Sequence, residues 1–284
     1  MCANYRVGLR LEELLERFGI PAEQAELFGD AVLRPTDPVP GIVLSGSSSQ
    51  GAGNWSGNGQ QASGSSLGNT EQGTGSSSGN GQQASGSSSE KPEQGTASSS
   101  GNAQQAADSG SAQSPDGGYE LKVLRWGLIP YWADDIKIGI RMFNARCETL
   151  LEKRAFKESF AHRRCILPIE EFYEYDDLFR YRVSRRDGKM LGVAGLWDRN
   201  RHFREPIESC TMVTCDPNPL IATVHDRMPA ILREADYERW LAPTDRPEEL
   251  LDLLSAFPAE DLTMAEDGER KSAKKKPTTA SLFD

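Results

Sequence analysis

Apolar positions recur at helical spacing near the start of the chain. Leu11, Leu14, Leu15 and Phe18 share one face and Gly19 follows as a terminator, which predicts a helix over residues 10–18. A second, shorter helix is predicted over residues 22–28. Residues 41–44 and 119–126 read as strands, and residues 147–160 carry a helical pattern. Short strand-like runs follow at 164–167, 171–175, 179–184, 190–197 and 210–214. Helices are predicted at 234–241 and 247–257, the second with Pro247 in its first turn. Many short strands with peripheral helices predict an α+β fold with a curved, barrel-like sheet rather than an alternating parallel one.

The pattern fails between residues 45 and 118. This stretch is built from Ser, Gly, Gln, Asn and Ala, and Trp55 and Leu67 are nearly its only large apolar residues. Gly57-Asn58-Gly59-Gln60-Gln61-Ala62 recurs at Gly79 and, with Ala103 for glycine, at Gly101, a period of 22 residues. A stacking repeat needs an apolar face, and these repeats have none. Such a segment cannot bury enough surface to offset its ordering entropy, so it is expected to be a disordered insert. The strands on either side place it on a hairpin within one domain. The expected organisation is a discontinuous domain of residues 1–44 and 119–258, the insert at 45–118, and a flexible C-terminal tail at 259–284.

The five cysteines are odd in number and form no C-x-x-C pair, which fits free thiols in a reducing compartment. A cytoplasmic protein, nucleoid-associated when bound to DNA, is expected, as a monomer. The three histidines have no ligand-like spacing, so neither a metal nor another cofactor is expected. No apolar run is long enough to cross a membrane. A net charge of −10 argues against a broad nucleic-acid surface, so any polyanion must be held locally or covalently.

Four polar constellations stand out. Arg125-Trp126-Gly127-Leu128-Ile129-Pro130-Tyr131-Trp132 is either packed core or, with Trp126 exposed beside arginine, a stacking platform for an unpaired base. In Asn144-Ala145-Arg146-Cys147-Glu148-Thr149, Asn144 caps a helix or enters a site, and Arg146 suits a phosphate. In Phe172-Tyr173-Glu174-Tyr175, Glu174 is either a solvent-facing strand residue or an acid–base group. In His225-Asp226-Arg227-Met228-Pro229, His225 is a core histidine or a proton-transfer group, its reference pKa of roughly 6.5 suiting the second role.

Cys2 adds the sharpest chemistry. Its small side chain permits removal of Met1, leaving an N-terminal cysteine with a thiol and an α-amine two carbons apart. Reference pKa values of roughly 8.5 and 7.7–8 make both reactive forms accessible near neutrality. Such a 1,2-aminothiol condenses with an aldehyde to a thiazolidine, which no internal cysteine can do.

In this order the segments resemble the SRAP family (SOS response-associated peptidase), the abasic-site processing proteins. The resemblance rests on Met1-Cys2 and on residues 125–132, 144–150, 164–175 and 224–232, and covers nearly everything outside the insert and the last few residues. It implies one domain with a bifurcated, partly barrel-like β-sheet surrounded by helices. It also implies binding of single-stranded DNA and a covalent crosslink between Cys2 and the ring-opened abasic sugar, with peptidase and lyase activity as further expectations. By the family pattern Cys2 is the nucleophile, Glu174 assists proton transfer, His225 assists ring opening and reversal, and Asn144 positions Cys2 and the sugar. Arg146 and Arg227 match phosphate-contacting arginines, Trp126 a DNA-contacting tryptophan, and Tyr175 stands where a stacking tryptophan is usual. Asn4 replaces a family arginine and Val32 a family asparagine, which weakens the expected grip on DNA.

Two other readings stay open. One is a cysteine hydrolase with His225 as base to Cys2. The other is a non-covalent single-strand binding module using Trp126, Tyr175, Arg146 and Arg227. The tail, with Lys274-Lys275-Lys276-Pro277 leading into Ser281-Leu282-Phe283-Asp284, looks like a linear motif for the replication sliding clamp as partner, or a basic solubilising end.

Overall fold

The computed structural model describes residues 4–8, 10–46 and 118–269. The expectations for Cys2, for most of the insert and for the last fifteen residues lie outside them. The described strands are β1 (Tyr5–Val7), β2 (Ala31–Leu33), β3 (Pro38–Leu44), β4 (Tyr119–Trp126), β5 (Asn144–Arg146) and β6 (Arg164–Ile169). They continue with β7 (Glu171–Tyr175), β8 (Phe179–Arg185), β9 (Leu191–Asn200), β10 (Ile207–Cys215), β11 (Met228–Pro229) and β12 (Leu262–Glu269). The α-helices are α1 (Leu11–Arg17), α2 (Arg154–His162) and α3 (Tyr237–Leu241).

Five strands close on themselves. β3 pairs with β4 and β6, β6 with β9, β9 with β10, and β10 returns to β4. Closure leaves these strands no free edge and a shared interior. Ile42, Leu124, Ile166, Val193, Leu196 and Met212 are fully buried in that core. A second sheet runs β12-β8-β7-β1-β2. The fold is α+β, a closed barrel beside a second sheet with helices packed around them.

The β3–β4 hairpin is paired from Pro38↔Arg125 to Leu44↔Tyr119, and Ser45 N–H donates to the Gly118 carbonyl at 3.0 Å. The chain between residues 46 and 118 therefore leaves from and returns to one hairpin end.

Three expectations need correction. Residues 147–160 are not one helix: a 3-10 turn at Cys147–Thr149 stays beside β10, Lys153 is extended (φ −74, ψ 122), and α2 starts only afterwards. The predicted helix at 247–257 is a 3-10 turn at Pro247–Leu253. The tail does not begin at residue 259, because β12 pairs with β8 from Leu262↔Arg185 onward and Leu262 is fully buried. Backbone pairing holds this acidic segment in place, where composition alone suggested a solvated end.

Candidate functional site

β10 organises the site. It runs parallel to β5 through Met212↔Asn144 and Thr214↔Arg146, and antiparallel to β11 through Cys215↔Met228. The first pairing sets out Asn144 and Arg146. The second carries the turn with His225 and Arg227. Residues i and i+2 of a strand share a face. Asn144 is half-buried and Arg146 exposed on one face of β5, while Ala145 is buried on the other.

Glu174 comes from the second sheet. On β7 it lies opposite Tyr181 of β8 and is 1% exposed. Burial pushes its carboxyl up to about 7, and the Asp226 carboxylate acts in the same direction. A group titrating there exchanges a proton readily at physiological pH.

His225 follows a 3-10 turn at Ile221–Thr223, and its N–H donates to the Ile221 carbonyl at 2.9 Å. Burial lowers its pKa below 6.5, against the opposing pull of Asp226. The imidazole is therefore neutral above neutrality and competent as a base. Its Nδ1 lies 2.9 Å from the Arg227 backbone nitrogen and 2.9 Å from Asp226 Oδ1.

Arg227 is enclosed rather than presented. Its guanidinium donates to Glu148 at 2.7 and 3.0 Å, to Asp216 at 2.8 Å and to the Thr214 carbonyl at 2.8 Å. Of the two expected phosphate contacts, Arg146 is the exposed one.

β1 brings the start of the chain to this place. Tyr5 pairs with Phe172, and Tyr173 N–H donates to the Asn4 carbonyl at 3.1 Å. Asn4 Nδ2 donates to the Tyr175 hydroxyl at 3.0 Å. The asparagine that replaces the family arginine thus fastens the chain start beside Glu174.

Trp126 does not stand exposed as a stacking platform. It is 0% exposed, its Nε1 donates to the Phe143 carbonyl at 2.8 Å, and its ring centroid lies 4.8 Å from that of Tyr5. The alternation along β4 turns Arg125 outward and Trp126 into the core. The aromatic surface of this motif lies further on: Tyr131 is exposed and Trp132 has the Arg154 guanidinium 4.6 Å over its ring. This loop is pinned by Tyr131 N–H to Asp198 at 2.9 Å and Ile129 N–H to Ser209 Oγ at 2.8 Å.

Residue-by-residue reading assigned no role to Asp226, Glu148 or Asn4. Asp226 alone carried a local signal, as a carboxylate adjacent in sequence to the candidate histidine. Among the described residues no group of three or more His, Cys, Asp or Glu could hold a metal ion, and no helix is long and apolar enough to cross a membrane.

Abasic site processing protein YoqW of Bacillus subtilis is 40% identical over 146 residues, 49% of this chain and 65% of that protein. Abasic site processing protein HMCES of Xenopus tropicalis is 29% identical over 149 residues, 43% of this chain and 44% of that protein. This chain thus spans less than two thirds of the length of these relatives. A crystal structure of a Bordetella bronchiseptica protein superposes with a TM-score of 0.57 at 22% identity, covering 94% of this chain and 100% of the other, which supports the fold alone. The profile described as SOS response associated peptidase (SRAP) matches residues 1–266, and the chain belongs to that family.

Proposed function

We propose that this protein processes abasic sites in single-stranded DNA by trapping their aldehyde on Cys2 after removal of Met1. The observation that carries the reading is Glu174: a carboxyl buried to 1% exposure and pushed up to about 7. It stands on the strand to which Asn4 is fastened. Cys2 is two residues upstream of that anchor, and two residues span at most about 7 Å.

The chemistry balances without a co-reactant. The α-amine adds to C1′ of the ring-opened sugar, and the carbinolamine loses water to give an imine. The thiol then adds to the C=N carbon, its sulfur forming the new C–S bond and its proton passing to nitrogen. Glu174 takes the proton released by the amine and returns it to the departing hydroxyl, a two-way role that suits a pKa near the working pH. Neutral His225 assists opening of the sugar ring, while Asn144 orients the reacting groups and Arg146 meets a phosphate. The purely non-covalent reading is weakened, because Trp126 is buried and Arg227 is bound to protein acceptors.

The test is a denaturing gel of the protein with abasic single-stranded DNA. A heat-stable shifted band is expected for the wild type and none for Cys2→Ala. Mass spectrometry of the crosslinking species should show Met1 absent. Crosslinking at the normal rate by a form that keeps Met1 would overturn the thiazolidine route.

A further inference from the structure

His225 Nδ1 is asked to do two incompatible things. The Arg227 amide, 2.9 Å away, can donate only to a bare nitrogen. The Asp226 carboxylate, also 2.9 Å away, can only accept, so it requires a proton on the same atom. One neutral imidazole satisfies one contact or the other. The choice fixes which nitrogen, Nδ1 or Nε2, keeps the lone pair.

A hydrogen bond to an ionised acceptor is roughly twice as strong as a neutral one. Asp226 is 83% exposed, which weakens the bond through solvent but leaves the carboxylate ionised and in direct contact. The Arg227 amide is neutral. The same carboxylate also acts electrostatically on Glu174, so it stands beside both proton-transfer candidates.

We propose that Asp226 is a positioning residue that selects the Nδ1–H tautomer of His225 and so leaves Nε2 as the basic nitrogen. Asp226 itself touches no reacting atom. Without it, the Arg227 amide would hold Nδ1 as acceptor and move the proton to Nε2, turning the base into a donor. A carboxylate on Nδ1 that sets tautomer and orientation is a recurring arrangement in histidine catalysis. Here it is supplied by the adjacent residue in the chain.

The tautomer is read directly by ¹H–¹⁵N correlation spectroscopy of the histidine rings at pH 8, where His225 is neutral. Only three histidines need assignment. The wild type is expected to show protonated Nδ1 and unprotonated Nε2 at His225. Asp226→Asn and Asp226→Ala should both reverse the pattern, and Asp226→Glu should keep it. Protonated Nε2 in the wild type, or an unchanged pattern in both the Asn and Ala variants, overturns the proposal.

A kinetic arm rests on the crosslinking function proposed above. Asp226→Asn should slow crosslinking at saturating DNA by on the order of tenfold. The half-saturating DNA concentration should stay within about twofold, and Asp226→Glu should restore the rate. A shift in half-saturation alone would make Asp226 a DNA contact and overturn its positioning role. If the wild type forms no crosslink, the function fails while the ring spectra still decide the tautomer.

Discussion

The end of the barrel covered by α2 and α3 and the face where β7 meets the turn at 225–227 each bury an ionisable side chain, with opposite outcomes. In the first, Arg164 of β6 is buried and its guanidinium donates to four carbonyls, those of Phe160, Ala161, Trp240 and Ala242, at 2.5–2.7 Å. These oxygens lie at the C-terminal ends of α2 and α3, where helix dipoles favour a cation. The charge is spent on holding two helix ends to the barrel. In the second, Glu174 is buried so that its carboxyl rises to about 7, with the Asp226 carboxylate adding to the push. Burial of a charge therefore does not by itself mark a site. What separates the two regions is whether the surroundings settle the ionisation state or leave it balanced near working pH.

The sharpest break of that comparison is Glu174→Gln. General acid–base assistance is worth about 10²–10⁴-fold, so crosslinking rates should fall by that order while the fold persists. The wild-type carboxyl has a folded pKa of about 7 against 4.5 for the ordinary group, so the native state binds the extra proton between those values. Stability from the protonated form is complete below pH 4.5 and lost as pH rises through 7. Relative to Glu174→Gln, the wild type should lose up to about 3 kcal/mol between pH 4.5 and 7.5 in denaturant titrations. A pH-independent difference would show that the group is not held near neutrality.

Arg164→Met tests the other side. It leaves four carbonyls without their donor, and each buried unsatisfied group costs about 1–3 kcal/mol. A loss of about 3 kcal/mol or more is expected in chemical denaturation. Arg164→Lys should recover only part of it, because an ammonium lacks the planar fork that reaches several acceptors at once. If Arg164→Met is as stable as the wild type, the contrast between a settled and a balanced charge collapses.

The motif at residues 125–132 sits between these extremes, since most of it proves to be scaffold. Gly127 has φ +123, and a Cβ there would stand 2.5 Å from the Gly139 carbonyl oxygen. Gly127→Ala should cost about 2 kcal/mol, from backbone strain and the displaced segment together, seen as a lower melting temperature. Substituting Tyr131, which is exposed, should leave stability within about 0.5 kcal/mol.

That motif shows where sequence reading succeeds and where it stops. β4 was legible because its apolar run is long, but the phase that turns Trp126 inward depends on pairing with both β3 and β10. β1 is only three residues between polar and glycine positions, and its role comes from contacts with β2 and β7, distant in sequence. β12 reads as acidic tail and becomes a strand only because β8 offers it an edge. At the site, Glu174, His225 and Asn144 were identifiable as residue types in context. Their electrostatics were not, because Asp226 acts on Glu174 across two sheets. The enclosure of Arg227 likewise depends on Glu148 and Asp216, which β10 and β5 bring together.

The smallest effect is expected from shortening the chain between β3 and β4. The hairpin is fully paired to Leu44↔Tyr119 and closed by Ser45 N–H to the Gly118 carbonyl, so its register is set by the barrel strands themselves. Replacing residues 47–117 with a short Asn-Gly turn removes a loop whose closure cost grows only logarithmically with length. Each halving of loop length returns about 0.6 kcal/mol, so stability should stay level or rise slightly. Crosslinking should change by less than about twofold, because Glu174, His225 and Asn144 are carried by β7, β5 and the turn after β10. A fall in melting temperature of several degrees would mean that the removed residues pack against the barrel. A normal melting temperature with crosslinking reduced more than tenfold would mean that they take part in holding DNA.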